Sequence, residues 1–282
     1  MAESRTPKPW VAACLSLLLV PGLGQVYNGA LRSGAVSGSV HVLLGLFGAF
    51  IGAASFPRLV VVSVTSVLWR LCVAAHAAAQ AKRLGTVPSR WFNRWHFYLL
   101  IVIALASGLA FARPHYRFKA YRIPSAGMDP TLLVGDFLFS DTWWPRRRTP
   151  QPGDVIVFRS PMNDRDFIKR CVAVAGDTVE IRSKQLYING VPQTEPHVVH
   201  GDPHVLPLSQ GRRDFMAPLV VPEGHIFVLG DNRDNSHDSR FWGSLPLDRV
   251  RAKALFVYFS VEVGSDSKLS HVRWERLGHA IQ

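Results

Sequence analysis

Residues 153–177 read GDVIVFRSPMNDRDFIKRCVAVAGD, and this stretch sets the expected fold of the larger part of the chain. Its apolar runs, Asp154–Phe158 and Cys171–Ala175, are short and rich in β-branched residues. Gly, Pro and Asp residues separate the runs, which is typical of strands joined by turns. Lys169 follows Phe167 and Ile168 on what we predict to be a buried strand.

The same pattern recurs on both sides of this stretch. Turn pairs such as Asn189-Gly190 divide the runs, and helical periodicity is scarce. We therefore predict an all-β domain of coiled antiparallel sheets over residues 113–282. The further predicted strands are Asp136–Ser140, Thr178–Ile181, Leu186–Ile188, His225–Leu229 and Ala254–Phe259.

The first 112 residues have a different, strongly apolar pattern, which predicts an α-helical transmembrane region of three to four hydrophobic helices. A helix needs about 20 apolar residues to cross a bilayer. The run Trp10–Val20 fits either a cleaved signal peptide or a short uncleaved helix, and we prefer the helix because further apolar runs follow it. Arg70 lies within one span and should face a partner or the bundle interior. The longer runs are Val36–Phe56, Leu59–Ala79 and Phe97–Phe111.

The net charge of +12 is unevenly distributed and argues against nucleic-acid binding. Residues 1–113 carry +9 and the rest of the chain +3, so the basic excess flanks the apolar spans. Such flanks mark cytoplasmic loops, and the last flank contains Lys82, Arg83, Arg90 and Arg94. We therefore predict a membrane protein in contact with the lipid bilayer, with its β domain on the outer face; in a bacterium this would be the periplasmic or outer face of the inner (plasma) membrane.

The chain has three cysteines without metal-ligand spacing, and we predict no metal site. Four blocks in the β domain carry a more specific signal. They are IPSAGMDPTL at 123–132, GDVIVF at 153–158, IKRCVAVAGD at 168–177 and GDNRDNSHDSRFWG at 230–243. In this order, after a membrane anchor, they resemble the type I signal peptidase family of serine–lysine proteases over residues 113–280. The resemblance implies leader peptides of exported preproteins as substrates, cut after a small-x-small motif, and no cofactor.

The resemblance also assigns roles to residues of this chain. Lys169 matches the general base, which works only when neutral, as burial in an apolar pocket would make it. Taken without its neighbours, a Lys-Arg pair would fit exposed charges at a strand edge equally well. Ser236 matches the serine that orients this lysine, Asp238 and Arg240 match a bracing salt bridge, and Asp231 is expected to support the same region.

Gly127 stands where the family pattern Pro-Ser-x-Ser-Met-x-Pro-Thr has its nucleophilic serine. Glycine keeps the backbone N–H that normally helps to form an oxyanion hole, and Ser125 matches the serine whose hydroxyl contributes the other donor. Pro124 and Met128 of the same block are expected to contact the substrate.

Glycine has no hydroxyl for covalent acyl transfer, and three alternatives follow. The chain is a non-catalytic relative that binds preproteins, or Ser125 has become the nucleophile, or Lys169 activates water directly. Two residues of extended chain separate Ser125 from position 127, which is up to ~6–7 Å, so the second alternative requires a rebuilt site. The third forgoes covalent catalysis and should be slow. A fourth alternative is a deliberate inactivating substitution of the serine by glycine.

Overall fold

The computed structural model describes residues 4–51, 55–112, 117–263 and 269–281. The chain divides into two compact units, Met1–Tyr116 and Arg117–Gln282. We refer to them as the helical unit and the β unit and describe each by itself.

The helical unit contains five α-helices among its described residues. The short strands β1 (Ser4–Arg5) and β2 (Val87–Pro88) pair antiparallel. Within the described part of the chain, the helix Phe56–Arg83 is long and apolar enough to cross a membrane. The helices are α1 (Pro9–Cys14), α2 (Leu23–Tyr27), α3 (Leu31–Ile51), α4 (Phe56–Arg83) and α5 (Trp95–Ala112).

The helix bounds differ from the predicted apolar runs at several ends. The first predicted span, Val36–Phe56, corresponds to α3, which begins five residues earlier; residues 52–54 of that span lie outside the described residues. The second and third predicted spans lie within α4 and α5. The run Trp10–Val20 is divided between α1 and one wider π-helical stretch, Leu15–Leu19.

Two polar side chains of the helical unit, Gln25 and Arg70, bind backbone carbonyl groups. The buried Gln25 side chain donates to the carbonyl of Val73 at 3.0 Å. Arg70 has the partners that its position required, because Nη1 donates to the carbonyl of Leu17 at 2.9 Å and Nη2 lies 3.0 Å from His41 Nε2. A carbonyl partner lowers the cost of holding a polar group away from water.

The β unit consists of two antiparallel sheets. Among the described residues, one sheet has eight strands in the order β12-β11-β6-β5-β13-β4-β3 with β14 on β13, and the other has four in the order β10-β7-β8-β9. The strands are β3 (Phe118–Arg122), β4 (Asp136–Asp141), β5 (Val155–Arg159), β6 (Asp166–Val174), β7 (Thr178–Arg182), β8 (Gln185–Ile188), β9 (Val191–Pro192), β10 (Met216–Val220), β11 (His225–Leu229), β12 (Leu245–Pro246), β13 (Val250–Val263) and β14 (Leu269–Val272).

Strand β6 organises the large sheet. Its first half pairs with β5, where Lys169 lies opposite Ile156, and its second half pairs with β11. Register shifts in the β11–β6 and β13–β4 ladders show where these strands bend, because a bulge increases the local twist. The lysine therefore lies in the middle of a bent strand with neighbours on both sides.

The predicted fold class is confirmed: the β unit is an antiparallel all-β domain that follows a helical region. Each predicted strand overlaps an observed one, in β4, β5, β6, β7, β8, β11 and β13. The sequence-based prediction missed β3, β9, β10, β12 and β14. Strands β3 and β10 are sheet edges with partly exposed residues, so they lack the apolar run on which the prediction relied.

Candidate active site

The loop between β3 and β4 carries the 123–132 block and is closed at its base by backbone hydrogen bonds. Ile123 N donates to Asp136 O at 2.8 Å, and Gly135 N donates to Ile123 O at 3.0 Å. Met128 and Leu132 are buried, at 3% and 0% exposed, and pack in the core cluster that also contains Leu138. These apolar anchors hold the part of the loop that directly follows Gly127.

Lys169 is presented by β6 and is 7% exposed, although it carries an ionisable amine. Its Nζ makes no hydrogen bond or ion pair with any residue that the structure describes. Burial lowers the pKa of Lys169, and this effect outweighs the net influence of the neighbouring charges: Asp238 and Asp231 raise the pKa, whereas Arg240 lowers it. The amine therefore loses its proton more readily than an ordinary lysine does.

Gly127 lies directly against this amine. A Cβ atom built on Gly127 would be 2.8 Å from Lys169 Nζ and 3.5 Å from the carbonyl oxygen of Asn235. The backbone of Gly127 lies outside the left-handed region, so its conformation does not require glycine. A serine would fit after a small movement of the flexible end of the lysine, which places the predicted base beside the predicted nucleophile position.

The backbone around Gly127 leaves one donor available. The carbonyl groups of Ala126 and Gly127 accept hydrogen bonds from the side chain and backbone of Asn232, at 3.2 and 3.4 Å. The N–H of Gly127 donates to no acceptor among the described residues. Ser125 is exposed and its hydroxyl likewise has no partner there. A free backbone N–H is the kind of donor that stabilises a developing oxyanion.

Ser236 lies on the other side of Gly127, with its Cα 3.9 Å from the position of the Cβ built on Gly127. Its hydroxyl is buried and forms no hydrogen bond with Lys169 or any other residue that the structure describes. The role of Ser236 in orienting the lysine thus stays a prediction. An unpaired buried hydroxyl costs free energy.

Asp238 and Arg240 form a fully buried ion pair behind the site. Arg240 Nε donates to one oxygen of Asp238 at 2.8 Å and Nη2 to the other at 2.9 Å. Burial opposes ionisation of Asp238, but Arg240, the N–H of Gly230 and the nearby Ser236 hydroxyl together lower its pKa. Arg240 also donates to the carbonyl of Ser236 at 3.3 Å, so the pair holds the loop that carries this serine.

Asp231 pairs with the neighbour of the lysine rather than with the lysine itself. Arg170 binds both of its carboxylate oxygens, at 2.9 and 2.7 Å, and Thr131 Oγ1 donates to it at 2.5 Å. This cluster connects β6 to the 123–132 loop. Asp231 therefore braces the strand that presents Lys169.

An open cleft of about 650 Å³ brings the predicted site residues together. Lys169, Ser125, Gly127 and Ser236 all line it, as do Met128 and Pro124, while Asp238, Arg240 and Asp231 lie buried outside its lining. Met128 is buried and Pro124 is exposed. Within the described part of the chain, no group of three or more His, Cys, Asp or Glu side chains is arranged to hold a metal ion.

The sequence reading missed two residues that shape the site. Asn232 was interpreted as part of a polar turn, yet it holds the two carbonyl groups next to the free N–H. Gly230 is packed so closely that an added Cβ would lie 2.2 Å from Ser236 Oγ and 2.3 Å from Gly127 O. Their place in the 230–243 block was the available signal, but sequence spacing alone does not reveal such contacts.

Gly230→Ala is expected to destabilise the β unit by about 1–3 kcal/mol, because the methyl group would force the Gly127 and Ser236 loops apart. The midpoint of urea unfolding in detergent would measure this. Gly201→Ala is the matched control, since nothing lies within 4 Å of its added Cβ and its backbone is also outside the left-handed region. Equal stability of the two variants would contradict the close packing at Gly230.

Lys169→Met is expected to stabilise the β unit at pH 7, and the gain should shrink as pH rises. The pKa of Lys169 is lowered by folding, so the unfolded chain binds its proton more tightly. Lys169 therefore lowers the free energy of unfolding. This loss is complete below the pKa of Lys169 in the folded protein and disappears above its pKa in the unfolded chain, about 10.4. Unfolding midpoints at pH 7 and pH 10.5 would test this.

Lys119→Met is the control for that comparison. Lys119 is largely exposed, and its pKa is raised rather than lowered: burial opposes the rise, but contacts with Tyr121 and Asp166 outweigh it. Its replacement should give no gain at pH 7. A gain for Lys169→Met that persists at pH 10.5 would show that the effect is packing rather than charge.

This chain is similar in sequence to known proteins of one family. The family described as "Signal peptidase, peptidase S26" matches residues 94–259. A signal peptidase I of Aquifex aeolicus is 35% identical over 53% of this chain and 79% of its own length. A probable signal peptidase I-1 of Synechocystis is also 35% identical, over 68% of this chain and 91% of its own. A signal peptidase I structure from Enterococcus faecalis is 36% identical, covering 38% of this chain and 97% of that one, with a TM-score of 0.31.

By family resemblance, the protein is a hydrolase of the serine protease class. The chain belongs to the signal peptidase family, peptidase S26.

Proposed function

We propose that this protein is a membrane-bound signal peptidase of the serine–lysine type that receives the N-terminal signal peptides of exported preproteins in the cleft around Lys169. The observation that carries this proposal is the position of the Lys169 amine, buried and without an ionic partner, against Gly127. Such an amine is suited to accept a proton from a hydroxyl group that attacks a peptide carbonyl.

The chemistry needs three parts, of which this chain supplies two. Neutral Lys169 takes the proton of the attacking hydroxyl and later gives it to the leaving amine of the cleaved bond. The N–H of Gly127 stabilises the oxyanion that forms between these steps. The third part is the hydroxyl itself, and Gly127 carries none. Ser125 is the nearest candidate in sequence, but it is exposed and two residues away.

A second candidate function follows from Gly127 alone: a non-catalytic homologue that binds preproteins without cutting them. The preserved cleft favours recognition under either candidate, since its lining does not depend on a nucleophile. The buried lysine argues for catalysis, because burying an amine costs stability that a binding surface has no need to sacrifice. The two candidates differ in turnover, not in recognition.

Recognition is tested by photo-crosslinking in detergent with the full-length protein. A preprotein carries a photoreactive side chain beside its small-x-small motif, and we expect crosslinks to residues 121–128 or 165–169 that unlabelled signal peptide displaces. Replacing both small residues by tryptophan should abolish them, because the cleft floor beside Met128 is closed by buried side chains. Crosslinks confined to surfaces remote from the cleft would refute the proposal.

Membrane placement forms part of the proposal. We infer that residues 1–112 form the membrane region, in contact with the lipid bilayer, and that residues 113–282 lie on the periplasmic or outer face of the bacterial plasma membrane. The supporting observations are the apolar helix α4 and the basic residues Lys82, Arg83, Arg90 and Arg94. Protease added to intact spheroplasts should digest the β unit. If the β unit is digested only after the membrane is permeabilised, it lies on the cytoplasmic face and the proposed orientation is wrong.

A further inference from the structure

The amine of Lys169 differs from the other lysine amines of the β unit that the structure describes. Lys119, Lys184 and Lys253 each form an ion pair, with Asp166, Asp234 and Asp154 respectively. An adjacent carboxylate favours the ammonium form, which is not nucleophilic. Lys169 has no such contact and is 7% exposed. The pKa of Lys169 is lowered, mainly by burial, whereas that of Lys119 is raised, so the lone pair of Lys169 is available at a lower pH than that of Lys119.

The amine also lies close to the place where a nucleophile on residue 127 would stand. Its Nζ is 2.8 Å from the position of a Cβ on Gly127, both residues line the cleft, and glycine has no side chain to separate the amine from the cleft. A carbonyl group bound next to position 127 would therefore be close to the amine of Lys169. The N–H of Gly127 is free to bind the oxygen of that carbonyl.

We propose that Lys169 is a carbonyl-capturing amine that forms an imine with peptide aldehydes ending in a small residue. The preference for a peptide of this kind rests on the proposed function; the reactivity of the amine rests on the geometry alone. Lysines whose pKa is lowered by burial form Schiff bases with carbonyl compounds readily, whereas a lysine held as ammonium by a carboxylate reacts more slowly and arginine stays protonated. Nothing in the family assignment implies this reaction.

The reaction balances without a further reactant. Lys169 Nζ attacks the aldehyde carbon, a C–N bond forms, and the carbonyl oxygen becomes an alkoxide held by the N–H of Gly127. The alkoxide takes one proton from the nitrogen to give a carbinolamine. Loss of the second N–H proton with the hydroxyl group, as water, leaves the C=N bond. In the assay, cyanoborohydride adds hydride to the protonated imine and makes the adduct permanent.

The charged groups around the amine are Asp238 and Asp231, which favour its protonated form, and Arg240, which opposes it. All three are buried: Asp231 is paired with Arg170, and Asp238 and Arg240 with each other. Burial is the largest influence on the amine, and the pKa of Lys169 is lowered in spite of the two carboxylates. Adduct formation should therefore reach half its maximal rate at a lower pH than for an exposed lysine.

The test uses the full-length protein in detergent with a signal-peptide aldehyde ending in alanine, cyanoborohydride, and peptide mapping by mass spectrometry. We expect Lys169 to be labelled at least tenfold faster than Lys119 or Lys253 at pH 7. The Lys169→Arg variant should carry no adduct in β6, whereas the Lys184→Met variant should retain the adduct on Lys169. Gly127→Ser should reduce labelling several-fold, because its hydroxyl competes for the aldehyde and separates it from the amine.

Propanal, which has no peptide part, separates this inference from the proposed function. Preferential labelling of Lys169 by propanal, without any advantage for the peptide aldehyde, would uphold the reactive amine and count against signal-peptide recognition. Labelling of Lys169 no faster than that of Lys119 by either aldehyde would overturn the inference, as would unchanged labelling in Gly127→Ser. The crosslinking experiment then decides recognition independently.

Discussion

Gly127→Ser is expected to raise the rate of preprotein cleavage in detergent by about 10⁴-fold or more, from a rate near background. The substitution adds the hydroxyl that the site lacks, and loss of a catalytic serine in a comparable protease costs on the order of 10⁶ in turnover. A serine can be accommodated at this position, because Lys169 Nζ, which lies 2.8 Å from the added Cβ, is the movable end of a flexible side chain. Gel-based cleavage under single-turnover conditions would measure the rate.

Gly127→Ala is the matched control. Its methyl group meets Lys169 in the same way but carries no oxygen, so it should give no gain. If Gly127→Ser cleaves preprotein as slowly as Gly127→Ala, the protein is not a protease that lacks only one hydroxyl. Of the two proposed functions, only binding of preproteins then remains.

Ser125→Ala resolves the remaining alternatives for the nucleophile. In the Gly127→Ser background it should lower turnover by about 10²–10³-fold, as expected for the loss of one oxyanion donor. If the unsubstituted chain cleaves and Ser125→Ala abolishes that cleavage, Ser125 is essential there, and covalent trapping would separate a nucleophile from a donor. Cleavage that survives Ser125→Ala would favour water activated by Lys169.

Asp238→Asn is expected to destabilise the β unit by about 3–5 kcal/mol, which is the usual cost of breaking a buried ion pair by removing one partner. The substitution leaves Arg240 buried, at 2% exposed, without its counter-charge. It also weakens the hold of that arginine on the loop at Ser236. Urea unfolding in detergent, followed by tryptophan fluorescence, would measure the loss.

The pH dependence of that loss has a defined sign. The pKa of Asp238 is lowered in the folded protein, so its contribution is present above the unfolded pKa of about 3.9 and disappears as pH falls through the folded pKa. The difference in the free energy of unfolding between the unsubstituted protein and Asp238→Asn should therefore become smaller at acidic pH. Asp166→Asn is the control: its partner Lys119 is 54% exposed, and such a pair contributes about 0–1 kcal/mol. A loss for Asp238→Asn no larger than that of the control would contradict the structural role of the pair.

Much of this protein was predictable from local sequence. Buried strands show themselves as short apolar runs between turn residues, and each predicted run lies on a strand. Edge strands such as β3 were missed because one side of an edge faces solvent and the apolar pattern is diluted. The presence of the long apolar helices was also predictable, but the residues at which they begin and end were predicted less accurately. Helix α3, for example, begins at Leu31 rather than Val36.

The sequence by itself determined the order of a helical and a β region, the blocks that mark the site, and the lack of a hydroxyl at Gly127, since these are properties of composition and short spacing. Tertiary structure decided which atoms meet. Lys169 and Gly127 are brought together by a sheet, Asp231 turns to Arg170 instead of the lysine, and Ser236 stays unpaired. Such contacts join segments tens of residues apart, and their distances depend on strand register and on competition among buried charges, neither of which any single segment encodes.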